Sequence, residues 1–167
     1  VIEFALDGSV VSANENFLKV TGYSLDEVKG RHHRQFVPGA HASSGEYADF
    51  WARLHRGEYV AGEFLRVAKG GREIWLQASY NPILDGDGRP VRIIKYALDI
   101  TAQKVHASDQ AGQMAAISKA QAVIEFDLQG TITQPNNNFL TPLGYKLDEI
   151  RGRHHRMFVD ENERRSA

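Results

Sequence analysis

The 167-residue sequence contains no cysteine. That excludes structural disulfides, zinc sites built on thiolates and thioether attachment of a c-type haem. It also suits a cytoplasmic location. No apolar run approaches the roughly 20 residues that a membrane-spanning helix needs. No signal-peptide pattern opens the chain either. Val1 already stands inside an apolar, strand-like run, so the sequence reads as a piece of a longer protein. A membrane segment or an output domain can lie outside it. An excess of one charge is missing too: Lys and Arg total 20 against 21 for Asp and Glu, a formal net charge of −1. That balance offers no basic surface for nucleic acid and no acidic tail.

What is present is the composition of a soluble globular protein, 42% hydrophobic and 25% charged. The length allows one domain of ordinary size, or one small domain and a fragment. Self-similarity decides between these. Residues 1–37, VIEFALDGSVVSANENFLKVTGYSLDEVKGRHHRQFV, recur at 123–159 as VIEFDLQGTITQPNNNFLTPLGYKLDEIRGRHHRMFV. The offset is 122 without a gap, and 22 of the 37 positions are identical. A period of that size is a whole-domain repeat. The sequence therefore predicts a first module over 1–101, a helical linker over 102–122 and the N-terminal part of a second module over 123–167. The second stretch is too short to bury a core of its own, so it is expected to lean on another surface or to be poorly ordered.

Within the first module, Val1 to Leu6 alternates as a strand, and Asp7-Gly8 turns into a second strand from Ser9 to Ser12. Asn14 reads as a helix cap ahead of Phe17 and Leu18, and Ser24 with Glu27 has capping-box spacing. Another short helical segment carries Arg31-His32-His33-Arg34. Tyr47, Phe50, Trp51 and Leu54 then fall at helical spacing. Strands are predicted over 62–67, 73–84 and 90–98, separated by Lys69-Gly70-Gly71 and Asp85-Gly86-Asp87-Gly88. Two strands, several helices and three strands make an α+β domain: an antiparallel sheet with helices packed on one face. The linker has one glycine, Gly112, no proline and only a thin apolar stripe of Val105, Met114 and Ile117. That pattern suits a helix or a weak coiled coil, not a robust zipper.

This element order, with Phe4 to Asn14, Asn16 to Tyr23, Ser24 to Glu27 and Gly30, resembles the PAS fold. Lys69 to Arg72 before Trp75, then Tyr80-Asn81-Pro82-Ile83 and Asp99-Ile100-Thr101, extend the likeness through residue 101. The Arg-His-His-Arg run before Phe36, repeated at Arg153 to Arg156, is similar to PAS modules of bacterial methyl-accepting chemotaxis and aerotaxis-like transducers. The resemblance implies a five-stranded sheet and a cytoplasmic, non-enzymatic sensor, usually a homodimer, that feeds an output domain absent from this chain. It implies a small ligand or cofactor, haem or FAD among them, held between sheet and helices. It also implies a relay through Asp99, Ile100 and Thr101 into the following helix. A ligand-free dimerisation module is the alternative reading.

Site residues follow from that likeness: His32, His33, Arg34, Trp75, Tyr80 and Asn81 as candidate cofactor contacts. Adjacent helical residues point about 100° apart, so His32 and His33 cannot face one metal ion, and no metal site is expected. One reading has one of the two packed or hydrogen-bonded and the other in solvent between arginines. The other has one of them, with Arg31 or Arg34, meeting a haem or a flavin phosphate. In oxygen-sensing relatives the axial histidine lies on the long helix, where this sequence has Glu46. Photochemical flavin adducts need the missing thiol. No nucleophile elbow, acid–base pair or metal cluster suggests an enzyme.

Overall fold

The structure, a computed structural model, describes residues 1–160. The last seven residues of the expected second module lie outside that range. The chain divides into two compact units, Val1–Val105 and His106–Ala167.

In the first unit β1 (Ile2–Phe4) and β2 (Val10–Ala13) form a hairpin. Four short helical elements follow: α1 (Glu15–Thr21), α2 (Leu25–Val28), a 3₁₀ turn (His33–Phe36) and α3 (Gly39–Ala42). The longer α4 (Gly45–His55) leads into β3 (Val60–Val67), β4 (Glu73–Leu84) and β5 (Pro90–Asp99). All pairings are antiparallel, and the spatial order β2-β1-β5-β4-β3 places the two hairpin ends of the sequence side by side. The five-stranded sheet with helices on its inner face is the architecture expected from the sequence.

Local signals account for most of the element ends. The Asn14 side chain accepts the Phe17 N–H at 3.1 Å and caps α1. Both the N–H and the hydroxyl of Ser24 donate to the Glu27 carboxylate at the start of α2. The Lys69 ammonium joins the same carboxylate and holds it well below the usual range, at about 2. The Ser44 hydroxyl accepts from Tyr47 N–H and caps α4, which starts at Gly45. The core gathers Ile2 and Phe4 from β1, Phe17, Val28 and Phe36 from the helical layer, Trp51 and Leu54 from α4, and Tyr80 and Ile93 from the sheet.

The hairpin turn is pinned to the 3₁₀ turn that carries the histidines. Gly8 C=O accepts the His33 N–H at 2.8 Å, and Val10 N–H donates to Arg31 C=O at 2.8 Å. Gly8 itself has φ +82°, and a Cβ there would stand 2.7 Å from His32 Nε2. Only glycine meets both conditions.

The helix α5 (Thr101–Ala120) leaves the sheet directly after β5. Val105, Met114 and Ile117 are all exposed on it, in keeping with the thin apolar stripe. The second unit then repeats the opening of the first. It has β6 (Ile124–Phe126) paired with β7 (Ile132–Pro135), α6 (Asn137–Leu143), α7 (Leu147–Ile150) and a 3₁₀ turn (His155–Phe158). Its core is small, built on Ile132, Leu140 and Ile150, while Phe126, Leu128, Leu143 and Leu147 stay exposed.

Gly8→Ala is expected to destabilise the first unit by about 1–3 kcal/mol, from the left-handed backbone and the contact with His32. Gly86→Ala, where a Cβ meets nothing within 4 Å, should stay within about 0.5 kcal/mol of the parent. Urea melts of both variants measure the difference, and equal midpoints would contradict the pinning of the turn.

Candidate functional site

Side chains alternate across a strand, so β3 turns Phe64 and Arg66 toward the helices, β4 turns Leu76, Ala78 and Tyr80, and β5 turns Ile93 and Lys95. Tyr80 stands opposite Lys95, and Lys95 opposite Ile2, in the paired register. His33 meets this face from the helical side. It is fully buried, with Nδ1 2.9 Å from the Tyr47 hydroxyl and Nε2 3.0 Å from the Tyr80 hydroxyl. Arg66 Nη2 donates to the same Tyr80 oxygen at 3.2 Å. A guanidinium only donates, so with a neutral Tyr80 the chain runs Arg66 to Tyr80, Tyr80 O–H to His33 Nε2, and His33 Nδ1–H to Tyr47. This network assigns the histidine tautomer.

Around this chain the side chains are aromatic. Phe4, Tyr47, Phe50, Trp51 and Tyr80 all place ring centroids 5.2–5.9 Å from that of His33. Phe50 and Tyr80 meet edge to face at 4.8 Å. Burial therefore drives the His33 imidazolium well below the usual histidine range, and the charges of Lys95 and Arg66, with His32 and His41 farther out, push the same way.

Two cations share this interior. Arg66 and Lys95 are 3% and 1% exposed. Arg66 donates from Nη1 to Leu65 C=O and lies 4.7 Å over the Phe64 ring, but its Nε has no partner. The Lys95 ammonium lies 4.9 Å from the Tyr80 ring centroid and 5.7 Å from that of Phe17. Among the described residues neither pairs with a carboxylate. Burial lowers the Lys95 pKa, and Arg66 adds to that against the attraction of Tyr80. Burial would raise the Tyr80 phenol, yet Lys95 and Arg66 together outweigh it and bring Tyr80 below its ordinary value.

The residues present do not fit the two cofactors that the resemblance raised. Both ring nitrogens of His33 are engaged by phenols, leaving no lone pair for a haem iron. The Phe50 and Tyr80 rings pack against the same imidazole at 5.9 and 5.5 Å, so side chains fill the interior around it. His41 and His55 give no alternative ligand: His41 faces Glu46 at 3.7 Å, and His55 Nε2 bonds to Leu6 C=O at 2.8 Å.

The other candidates lie elsewhere. His32 and Arg34 line an open cleft of about 560 Å³ with Asp7 and Ser44, walled on one side by Tyr47 and Trp51 of the aromatic cage. His32 Nδ1 accepts the Arg34 N–H at 3.1 Å. Trp75 and Asn81 alternate to the outer face of β4, apart from His33 and Tyr80. The Lys104 ammonium lies 5.1 Å over the Trp75 ring, and Asn81 donates to Ser79 Oγ. Asp99 accepts the N–H and the hydroxyl of Thr101, Thr101 Oγ1 accepts the Trp75 N–H at 2.9 Å, and the buried Ile100 donates its N–H to Trp75 C=O at 2.9 Å.

Tyr47, Arg66 and Lys95 were missed by the sequence reading. A signal existed for the last two. In Phe64-x-Arg66-x-Ala68 and Ile93-x-Lys95-x-Ala97 each charge falls in phase with inward apolar residues, where an unpaired cation is expensive.

The comparisons with known proteins agree with this architecture. A family model described as the PAS fold matches residues 10–97, and a second, described as a PAS domain, matches residues 121–167. The chain belongs to the PAS family. It is 43% identical over 159 residues to the biofilm dispersion protein BdlA of Pseudomonas aeruginosa, covering 95% of this chain and 38% of BdlA. A blue-light-activated histidine kinase of Rhizobium johnstonii is 32% identical over 95 residues, covering 57% of this chain and 27% of the kinase. The chain thus spans well under half the length of these relatives. Among solved structures, an RNA-binding light-oxygen-voltage receptor superposes with TM-score 0.56 at 26% identity, over 71% of this chain and 33% of the receptor. The dark structure of the Aureochrome1 LOV photoreceptor superposes with TM-score 0.53 at 20% identity, over 67% and 84%, and shows the fold alone.

The PAS module should lose stability on mild acidification because of His33. Its folded pKa is depressed, so above the unfolded value of about 6.5 neither state carries the proton. Below it the unfolded chain takes up a proton that the folded module refuses, and stability falls with pH by up to about 1.4 kcal/mol per unit. Urea melts between pH 7 and pH 5 should show a smaller slope for His33→Gln than for the parent. Equal slopes would mean that His33 is protonated in the fold.

Proposed function

We propose that residues 1–101 form a non-catalytic sensory PAS module that takes up a small ligand in its polar interior and relays the change into the helix after β5. The module boundaries 1–101, 102–122 and 123–167 belong to the same reading. One observation carries it. The polar interior and the exit helix are joined by one stretch of β4: Tyr80 closes the His33–Arg66 network, and Trp75, five residues earlier, bonds through its N–H and C=O to Thr101 and Ile100. A strand is stiff along its length, so a shift at Tyr80 or its partner Lys95 reaches the start of α5 without an intervening loop. Lys104 adds a second hold, pairing with Glu63 on β3 while covering Trp75.

The output domain lies outside this chain; the likeness to chemotaxis and aerotaxis-like transducers supports a cytoplasmic signalling protein of that kind as its setting. Among the described residues no helix is long and apolar enough to cross a membrane. A homodimer fits the outer face of the sheet, where Tyr96 and Leu98 are 54% and 59% exposed beside Trp75 and Leu65. That face also favours a second reading, a ligand-free dimerisation module.

In the full-length protein, Thr101→Val removes the acceptor for the Trp75 N–H and the hydroxyl that donates to Asp99, while the backbone N–H to Asp99 remains. It should leave the first unit folded but uncouple output from stimulus, so that activity no longer changes between stimulated and unstimulated cells. A variant that responds like the parent would contradict the relay. For the dimer, Leu98→Glu should shift the sedimentation coefficient to that of a monomer, and a parent protein already monomeric at high concentration would contradict it.

A further inference from the structure

Buried cations demand counter-charge. Taking one out of water costs several kcal/mol even after relaxation, and the cost is recovered only by an opposite charge or a full set of acceptors. Arg66 and Lys95 have neither. Their shared acceptor is one phenol oxygen, Arg66 Nε–H donates to nothing, and the Lys95 ammonium faces ring π-surfaces. The inner face beside them is cut back to small side chains, since Ala78 and Ala97 pair directly two register positions from Tyr80 and Lys95, on the same face. Phe17, the ring that the Lys95 ammonium approaches, also lines a cleft of about 240 Å³ with Val20, Leu76, Ala97 and Asp99, though Arg66, Lys95 and Tyr80 do not themselves line it.

We infer that the ligand of this PAS module is a small oxyanion, a carboxylate or phosphate, bound at Arg66 and Lys95 beside the Tyr80 hydroxyl. The inference rests on the sensory reading above and gives it a chemical class. An oxyanion supplies the missing acceptor for Arg66 Nε–H and the missing charge for Lys95, and it matches the planar donor edge of the guanidinium. Tyr80, already biased toward ionisation by the two cations, is relieved of that role when the anion arrives, and its strand carries Trp75 and the exit helix.

The test is thermal unfolding of the full chain in chloride, then in acetate, succinate or phosphate at equal ionic strength. At least one oxyanion should raise Tm saturably, by more than about 4 °C at 100 times its Kd. Acetate and succinate against phosphate separate a carboxylate ligand from inorganic phosphate. Lys95→Met should abolish that rise while melting no lower than the parent in chloride, because it removes an uncompensated buried charge. No saturable rise with any of the three, or an undiminished rise in Lys95→Met, overturns the assignment. In parallel, small molecules released by denaturing the protein as purified are identified by mass spectrometry and absorption. Release of a neutral or coloured ligand without any oxyanion response overturns the ligand class and leaves the sensory reading standing. No released ligand and no oxyanion response overturn both.

Discussion

The interior of the first module is organised by one phenol, that of Tyr80, which accepts from a guanidinium, donates to an imidazole and offers its ring face to an ammonium. Each of those groups comes from a different part of the chain: Arg66 from β3, Lys95 from β5 and His33 from the helical layer. The sheet register sets two of the approaches, and the pinned hairpin turn sets the third through Gly8 and the His33 N–H. The aromatic shell follows from the same constraint. Rings present negative faces to cations, so Phe64 under Arg66 and Tyr80 and Phe17 near Lys95 soften a charge that aliphatic residues would leave bare. They do not neutralise it. An aromatic cage reduces the cost of two buried cations and leaves the polar interior responsive to whatever supplies the rest.

This arrangement also explains why the histidine stays neutral. In a structure with a buried carboxylate, an imidazole at this place would be held protonated. Here every nearby charge is positive, and desolvation acts in the same direction. His33 therefore serves as a fixed hydrogen-bonding link between Tyr47 and Tyr80, and its ring has no capacity left for a metal.

How much of this could be read from the sequence depended on range. Caps and turns are local, so Asn14, Ser24 with Glu27, and Asp7-Gly8 could be placed from neighbouring residues alone. The sheet was legible because its strands alternate and its turns are marked by glycine and aspartate. The pairing of His32 and His33 was visible, but not which one would turn inward. That choice is made by Tyr47, 14 residues on, and by Tyr80, 47 residues on. Arg66 and Lys95 were not legible from residue type, because arginine and lysine are almost never fully buried. Their phase within alternating strands was the contrary signal. Trp75 and Asn81 bracket Tyr80 in sequence, and period-two geometry alone sends both to the other face.

The repeat makes the same point within one chain. His33 and His155 have the same neighbours, Arg-His before and Arg after, and both begin a 3₁₀ turn with the preceding histidine accepting the N–H of the following arginine. Gly8 and Gly130 hold the turns in the same left-handed conformation. Yet His33 is fully buried between two phenols, whereas His155 is exposed and stacks on His154 at 4.6 Å. Local sequence thus fixes the backbone of the motif and one ring contact with it, since Phe126 meets His155 at 5.4 Å as Phe4 meets His33 at 5.2 Å. The inward histidine gains its role only when a long helix and three further strands bring a Tyr47, a Tyr80 and two cations to it. Any property assigned to the Arg-His-His-Arg motif therefore rests on the helix and strands that complete the module around it, elements absent among the described residues after 123.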